Sequence, residues 1–126
     1  MKNTKLANIN ITVKDLFHKW LLITRLFHKL TKQEIDVLAM LLYYHYQYKK
    51  EITNDKILWK VIFDYDTKHL IKEELNIKDQ GIQNVLTSLR KKKVINDNKI
   101  IPTFIPELED KSNNFKIIFN FNVIHE

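Results

Sequence analysis

Apolar and polar positions alternate at the start of the chain, become periodic at three and four through its middle, and alternate again near its end. Residues 6–13 set Ala7, Ile9, Ile11 and Val13 between Asn8, Asn10 and Thr12, the period-2 pattern of a half-buried strand. Over 14–30 the spacing changes. Leu16, Phe17, Trp20, Leu21, Ile23, Phe27 and Leu30 fall mostly three and four apart, which predicts an amphipathic helix with Lys14, His18, Lys19, Arg25 and Lys29 largely on its other side. Thr31-Lys32-Gln33-Glu34 is a capping box ahead of a long apolar pattern over 35–48, so a long helix begins there. Its Leu38, Leu41 and Leu42, with Tyr43, Tyr44, Tyr46 and Tyr48, cover more than one face. Such a helix is buried on several sides or lies at a subunit interface, a better use for these rings than stacking on single-stranded nucleic acid.

The second half continues in the helical period before the strand pattern returns. Thr53-Asn54-Asp55 can cap a short helix with Ile57, Leu58, Val61 and Ile62 that carries Trp59 and stops at 64–66. Asp66 or Thr67 can cap the next helix, which runs through Leu75 with Leu70, Ile71 and Leu75 facing inward. Asn76-Ile77-Lys78 reads as a turn, and a further helix runs from about Asp79 to Lys92 with Ile82, Val85, Leu86 and Leu89 inside. After Val94 and Ile95 come a turn at 96–98, a strand over 99–105, a loop over 106–114 and an alternating strand over 115–124. The chain therefore reads as α+β, mainly α.

Composition narrows the chemistry. With 126 residues the chain has the length of one ordinary domain. It has no Cys, which excludes a disulfide scaffold, thiol catalysis and Cys-ligated zinc, and points to a reducing, cytoplasmic setting. Its single Gly excludes the Gly-rich phosphate loops, which need two or three. No apolar run approaches the roughly 20 residues that span a bilayer, and no targeting h-region stands at the start. The net charge is +6, but Lys (19), Ile (17) and Asn (12) are the residues that A- and T-rich codons specify, so the excess of Lys says little until it is placed. Placed, it gives +6 over 1–50, −1 over 51–78, +3 over 79–99 and −2 over 100–126. Positive charge thus gathers in the first third and in the block Arg90 to Lys93.

Catalytic signals are weak. The five histidines, His18, His28, His45, His69 and His125, form no H-x-x-x-H pair, and neither Ser88 nor Ser112 has a His within a few positions. Asp64 and Asp66, or Glu107, Glu109 and Asp110, could hold a cation, but acidic loop residues are mostly just solvated. Neither an enzyme, a metal nor a cofactor is expected.

The stretch from Leu75 to Ile95 resembles the winged helix-turn-helix family, of which the MarR-type regulators and many phage and plasmid DNA-binding proteins are members. Leu75, Ile77, Ile82, Leu86, Leu89, Val94 and Ile95 match its pattern, and the likeness covers about residues 31–124. It implies a winged helix-turn-helix at 31–126 with a C-terminal β-hairpin wing, preceded at 1–30 by a strand and an amphipathic helix as an extension. The departures are Asn76 and Lys93 where Gly is usual, Lys78 in place of a Ser cap, and a wing tip with Glu107, Glu109 and Asp110 against one Lys111. Asn tolerates the left-handed conformation; Lys is strained in it.

For function, the resemblance implies double-stranded DNA, with the 79–92 helix in the major groove and its first partner bracing it. The face opposite the apolar stripe is Gln80, Gln83, Asn84, Thr87 and Lys91. Gln and Asn amides fit adenine N6 and N7, while guanine-reading Arg is nearly absent, so an A-rich site is expected. Lys78, Arg90, Lys92 and Lys93 are the expected phosphate contacts, with the Lys residues of the first third on the backbone too. The expected role is a small, dimeric transcriptional regulator of phage or AT-rich bacterial origin, working in the cytoplasm. The alternative is a winged-helix module for protein contact, such as a virion component or a polymerase adaptor, whose strands 7–13 and 115–124 add to a partner's sheet edge.

Overall fold

Four of the helices, Val13–Ile23, Lys32–Tyr48, Asp55–Ile62 and Tyr65–Leu75, begin where a short polar side chain takes up a free backbone N–H group. In the computed structural model, which describes residues 5–108 and 114–125, Thr12 accepts from the Asp15 N–H at 3.2 Å and opens helix α1 (Val13–Ile23). Thr24 interrupts it, its hydroxyl donating to the Trp20 carbonyl at 2.7 Å, and a single turn α2 (Arg25–His28) follows, ended by Lys29 at φ 56°. The capping box forms as its spacing requires. Thr31 Oγ1 accepts from the Glu34 N–H, Glu34 Oε1 accepts from the Thr31 N–H at 2.8 Å, and α3 (Lys32–Tyr48) runs on from there. Asn54 caps α4 (Asp55–Ile62), and Asp64, rather than Asp66 or Thr67, caps α5 (Tyr65–Leu75). Helix α6 (Asp79–Lys91) has Lys78 at its N-cap and no side-chain cap.

The fold is mainly helical, with one small antiparallel sheet. Strand β1 (Ile95–Asn96) pairs with β2 (Lys99–Ile100) in the register Ile95 to Ile100 and Asn96 to Lys99. Between them Asp97 and Asn98 take φ 53° and 56°, the two left-handed residues of a type I′ hairpin turn. Helix α3 is the hub, packed against α1, α4, α5 and α6. Its buried Val37, Leu38, Ala39, Met40, Leu41 and Leu42 are consecutive, which only a helix covered on several sides allows. Phe17 and Leu21 of α1 are fully buried in the same core as Ile71, Leu86 and Leu89, and the four tyrosines of α3 pack at its margin.

Several expectations need correction. No strand forms over 6–13: residues 5–12 are exposed without regular structure, and Val13 belongs to α1. A period-2 pattern specifies a face, but a strand also needs a neighbour to receive its hydrogen bonds, and none is there among the described residues. The 14–30 helix breaks at Thr24, so Ile23 and Phe27 are exposed instead of inward. Leu70 is likewise exposed, and Thr67 takes an inner position of α5, its hydroxyl donating to the Val61 carbonyl at 2.8 Å. The strand expected over 99–105 stops at Ile100. Pro102, which has no N–H for a ladder, starts a 3-10 turn (Pro102–Phe104). Residues 114–125 form no strand, so the hairpin is the short β1–β2 pair and not a wing joining 99–105 to 115–124. Of the expected wing-tip charges, Glu109, Asp110 and Lys111 lie outside the described residues.

Candidate nucleic-acid interface

Helix α6 separates its side chains cleanly. Ile82, Val85, Leu86 and Leu89 are buried, while Gln80, Gln83, Asn84, Thr87 and Lys91 are exposed. At the 3.6-residue repeat those five project within about 60° of the direction of Gln80, on the side opposite the core. Gln80 Nε2 donates to Asn84 Oδ1 at 2.8 Å, which ties two of the face's amides together one turn apart.

Two left-handed residues bracket the helix. Asn76, at φ 53°, closes α5: the Ile77 N–H reaches the Lys72 carbonyl at 3.1 Å. Lys93, at φ 62°, closes α6: its N–H reaches the Arg90 carbonyl at 3.0 Å, and the Val94 N–H the Leu89 carbonyl at 2.9 Å. This is the Schellman pattern, with Val94 and Leu89 as its apolar contact. Both positions thus hold the conformation that glycine favours without glycine. The exit of the chain into β1 is set by Lys93.

Salt bridges fix the helix pair. Lys72 of α5 pairs with Asp79 in the first turn of α6, across the 76–78 turn, and Lys14 of α1 pairs with Glu74 of α5. Lys14 is therefore held by a carboxylate in place of being free for a phosphate.

The expected phosphate contacts divide. Lys78, Arg90 and Lys93 are exposed and make no ion pair among the described residues, and the same is true of Lys91. Lys92 points elsewhere. Its ammonium meets Glu34 Oε1 at 2.6 Å, and Ser88, one turn earlier on the same side of α6, donates to Glu34 Oε2 at 2.6 Å. Glu34 is only 3% exposed. Burial by itself would push its carboxyl up, but the hydrogen bonds from Lys92, Ser88 and Thr31 outweigh that and hold it down at about 2. One carboxylate thus caps α3 and anchors the end of α6.

The sequence marked Glu34 as a capping residue but gave no sign of its second attachment. The only available hint was that Ser88 and Lys92 are four apart and so share a side of α6.

The other candidate groups have structural partners. His18 meets Asp36 at 2.9 Å, His28 the Leu21 carbonyl at 2.8 Å, and His45 stacks on Trp59 at 4.4 Å. Burial, with Lys49 adding to it, holds the His45 imidazole below its ordinary pKa. Asp64 is occupied as a helix cap. Among the described residues no group of three or more His, Asp or Glu could hold a metal ion, and no helix is long and apolar enough to cross a membrane. Set against known proteins, the chain matches no family model, no curated sequence and no solved structure.

Proposed function

We propose that this chain is a winged-helix protein that binds duplex DNA as a small transcriptional regulator, with α6 in the major groove. The observation that carries the reading is the exposed face of Gln80, Gln83, Asn84, Thr87 and Lys91, flanked by Lys78, Arg90 and Lys93, which make no ion pair among the described residues. The order α3, α4, α5, α6 and then a hairpin supports it, since this is the order of a winged helix in which α5 braces α6. The amide-rich face favours adenine-containing sites. The hairpin contributes little positive charge. Its turn is Asp97-Asn98, and Lys99 pairs with Asp55 at 3.1 Å.

Lys78, Arg90, Lys91 and Lys93, without ion pairs among the described residues, set the size of the salt effect. Raising salt from roughly 50 to 200 mM lowers affinity for random duplex DNA about a hundredfold if those four neutralise phosphates. A loss of less than a few-fold rejects DNA binding. With Gln83→Ala and Asn84→Ala together, affinity for a preferred site selected from random sequence falls and affinity for random DNA holds. Equal loss on both leaves only backbone contact. A protein-contact role is the second reading, favoured by the exposed apolar side chains of the C-terminal segment.

A further inference from the structure

Two amides on the exposed face of α6 are bound to each other, and the bond has a direction. Gln80 Nε2 donates to Asn84 Oδ1 at 2.8 Å, with both residues exposed. An amide carries its acceptor on one arm and its donor on the other. With the Gln80 nitrogen and the Asn84 oxygen turned toward each other, the outward atoms are Gln80 Oε1, an acceptor, and Asn84 Nδ2, a donor. These two atoms stand at opposite ends of a chain of two amide groups joined by a 2.8 Å contact. Neighbouring bases stack roughly 3.4 Å apart, so such a pair suits adjacent bases better than two atoms of one. The nearest carboxylate in sequence, Asp79, is engaged by Lys72 of α5, which leaves the Gln80 amide to Asn84. In water an i,i+4 bond of this kind is weak. Against the floor of a groove it gains, because an amide that loses its partner there has no water to replace it.

We infer that Gln80 is a positioning residue for Asn84: it fixes which arm of the Asn84 amide meets DNA, so that the pair reads a directed two-base step in place of two separate adenines. The inference rests on the reading of α6 as the major-groove helix and deepens it. On the major-groove edge the amino groups, N6 of adenine and N4 of cytosine, donate, whereas N7 of the purines, O6 of guanine and O4 of thymine accept. Gln80 Oε1 therefore takes adenine or cytosine. Asn84 Nδ2 takes guanine, thymine or adenine and rejects cytosine, which has no acceptor on that edge. An amide free to turn presents both arms and settles on adenine, so the bond between the two residues changes what residue 84 selects.

Sites selected by the full chain from random duplex DNA test this. Asn84→Ala identifies the base that residue 84 meets, as the position whose preference it abolishes. In the parent that base is guanine, thymine or adenine, with cytosine disfavoured about tenfold or more. Gln80→Glu changes the base without touching residue 84. A carboxylate only accepts, so Asn84 turns Nδ2 toward it and Oδ1 outward, and cytosine or adenine replaces guanine or thymine. Gln80→Ala adds no charge near the phosphates and leaves Asn84 free to turn. Adenine alone is then preferred at that base, and guanine and thymine lose their advantage over cytosine. Gln83→Ala leaves the base as it is in the parent. All these side chains are exposed, so the helical circular dichroism of each variant stays that of the parent. A base at the residue 84 position that neither Gln80 substitution alters overturns the positioning role and leaves the DNA reading standing. Retention of DNA without enrichment of any sequence overturns the positioning role as well. A parent that retains no DNA at roughly 50 mM salt overturns both.

Discussion

Glu34 shows how much one side chain can carry. Its carboxylate closes the capping box on Thr31 and accepts from Ser88 and Lys92 of α6 while almost wholly removed from water. Its carboxyl is held at about 2, below the ordinary 4.5, so the folded state releases this proton more readily than the unfolded one. The stabilisation is therefore complete above about pH 5 and is lost as the pH falls toward 2, an effect on the order of 3 kcal/mol. Glu34→Gln keeps the cap acceptor but removes the charge facing Lys92. Denaturant unfolding at pH 7 should show a loss of about 3 kcal/mol, and the gap between variant and parent should narrow between about pH 5 and 2. A gap that does not change with pH means that Glu34 contributes as a cap alone. His45 acts in the same direction at higher pH: with its pKa lowered by burial, the folded state loses stability as the pH falls below the ordinary imidazole range.

At the scale of the element, the junction between α6 and β1 depends on a lysine in a conformation that costs L-residues energy. Lys93 at φ 62° makes the Schellman closure that turns Val94 and Ile95 back into the core. Lys93→Gly removes the left-handed cost but frees the unfolded chain, for a net gain of up to about 1 kcal/mol. The melting temperature should rise by a few degrees. If Lys93→Gly also weakens DNA binding, the lysine is contributing charge at the phosphates as well as shape. A melting temperature that falls instead means that Lys93 holds this conformation through contacts of its side chain.

At the scale of the whole molecule, α1 shares one core with the helices that follow it. Phe17 is 1% exposed, its ring 5.9 Å from that of Tyr46 on α3, and Leu21 is wholly buried. Phe17→Ala leaves a large cavity and should cost about 3–5 kcal/mol, a large part of a domain's stability. Unfolding followed through the near-ultraviolet signal of Trp20 on α1 and through overall helicity should shift together. Separate transitions would mean that α1 folds as an independent appendage.

Helices α3, α4, α5 and α6, the capping box, the turn at 76–78 and the turn at 96–98 were legible in the chain itself. Their signals are local: a side-chain oxygen reaches an N–H three residues away, apolar residues recur every three or four, and Asp-Asn suits two left-handed positions. The outward face of α6 was legible for the same reason, because the helical repeat places Gln80, Gln83, Asn84, Thr87 and Lys91 opposite the buried stripe. Tertiary structure alone decided the rest. Lys92 turned from the candidate DNA face to Glu34, a residue 58 positions away, and Ser88 reached the same carboxylate across 54 positions. The alternating stretches 6–13 and 115–124 did not become strands in this chain, because a strand requires a second backbone at hydrogen-bonding distance. Periodicity can specify a face, but it cannot supply the neighbour.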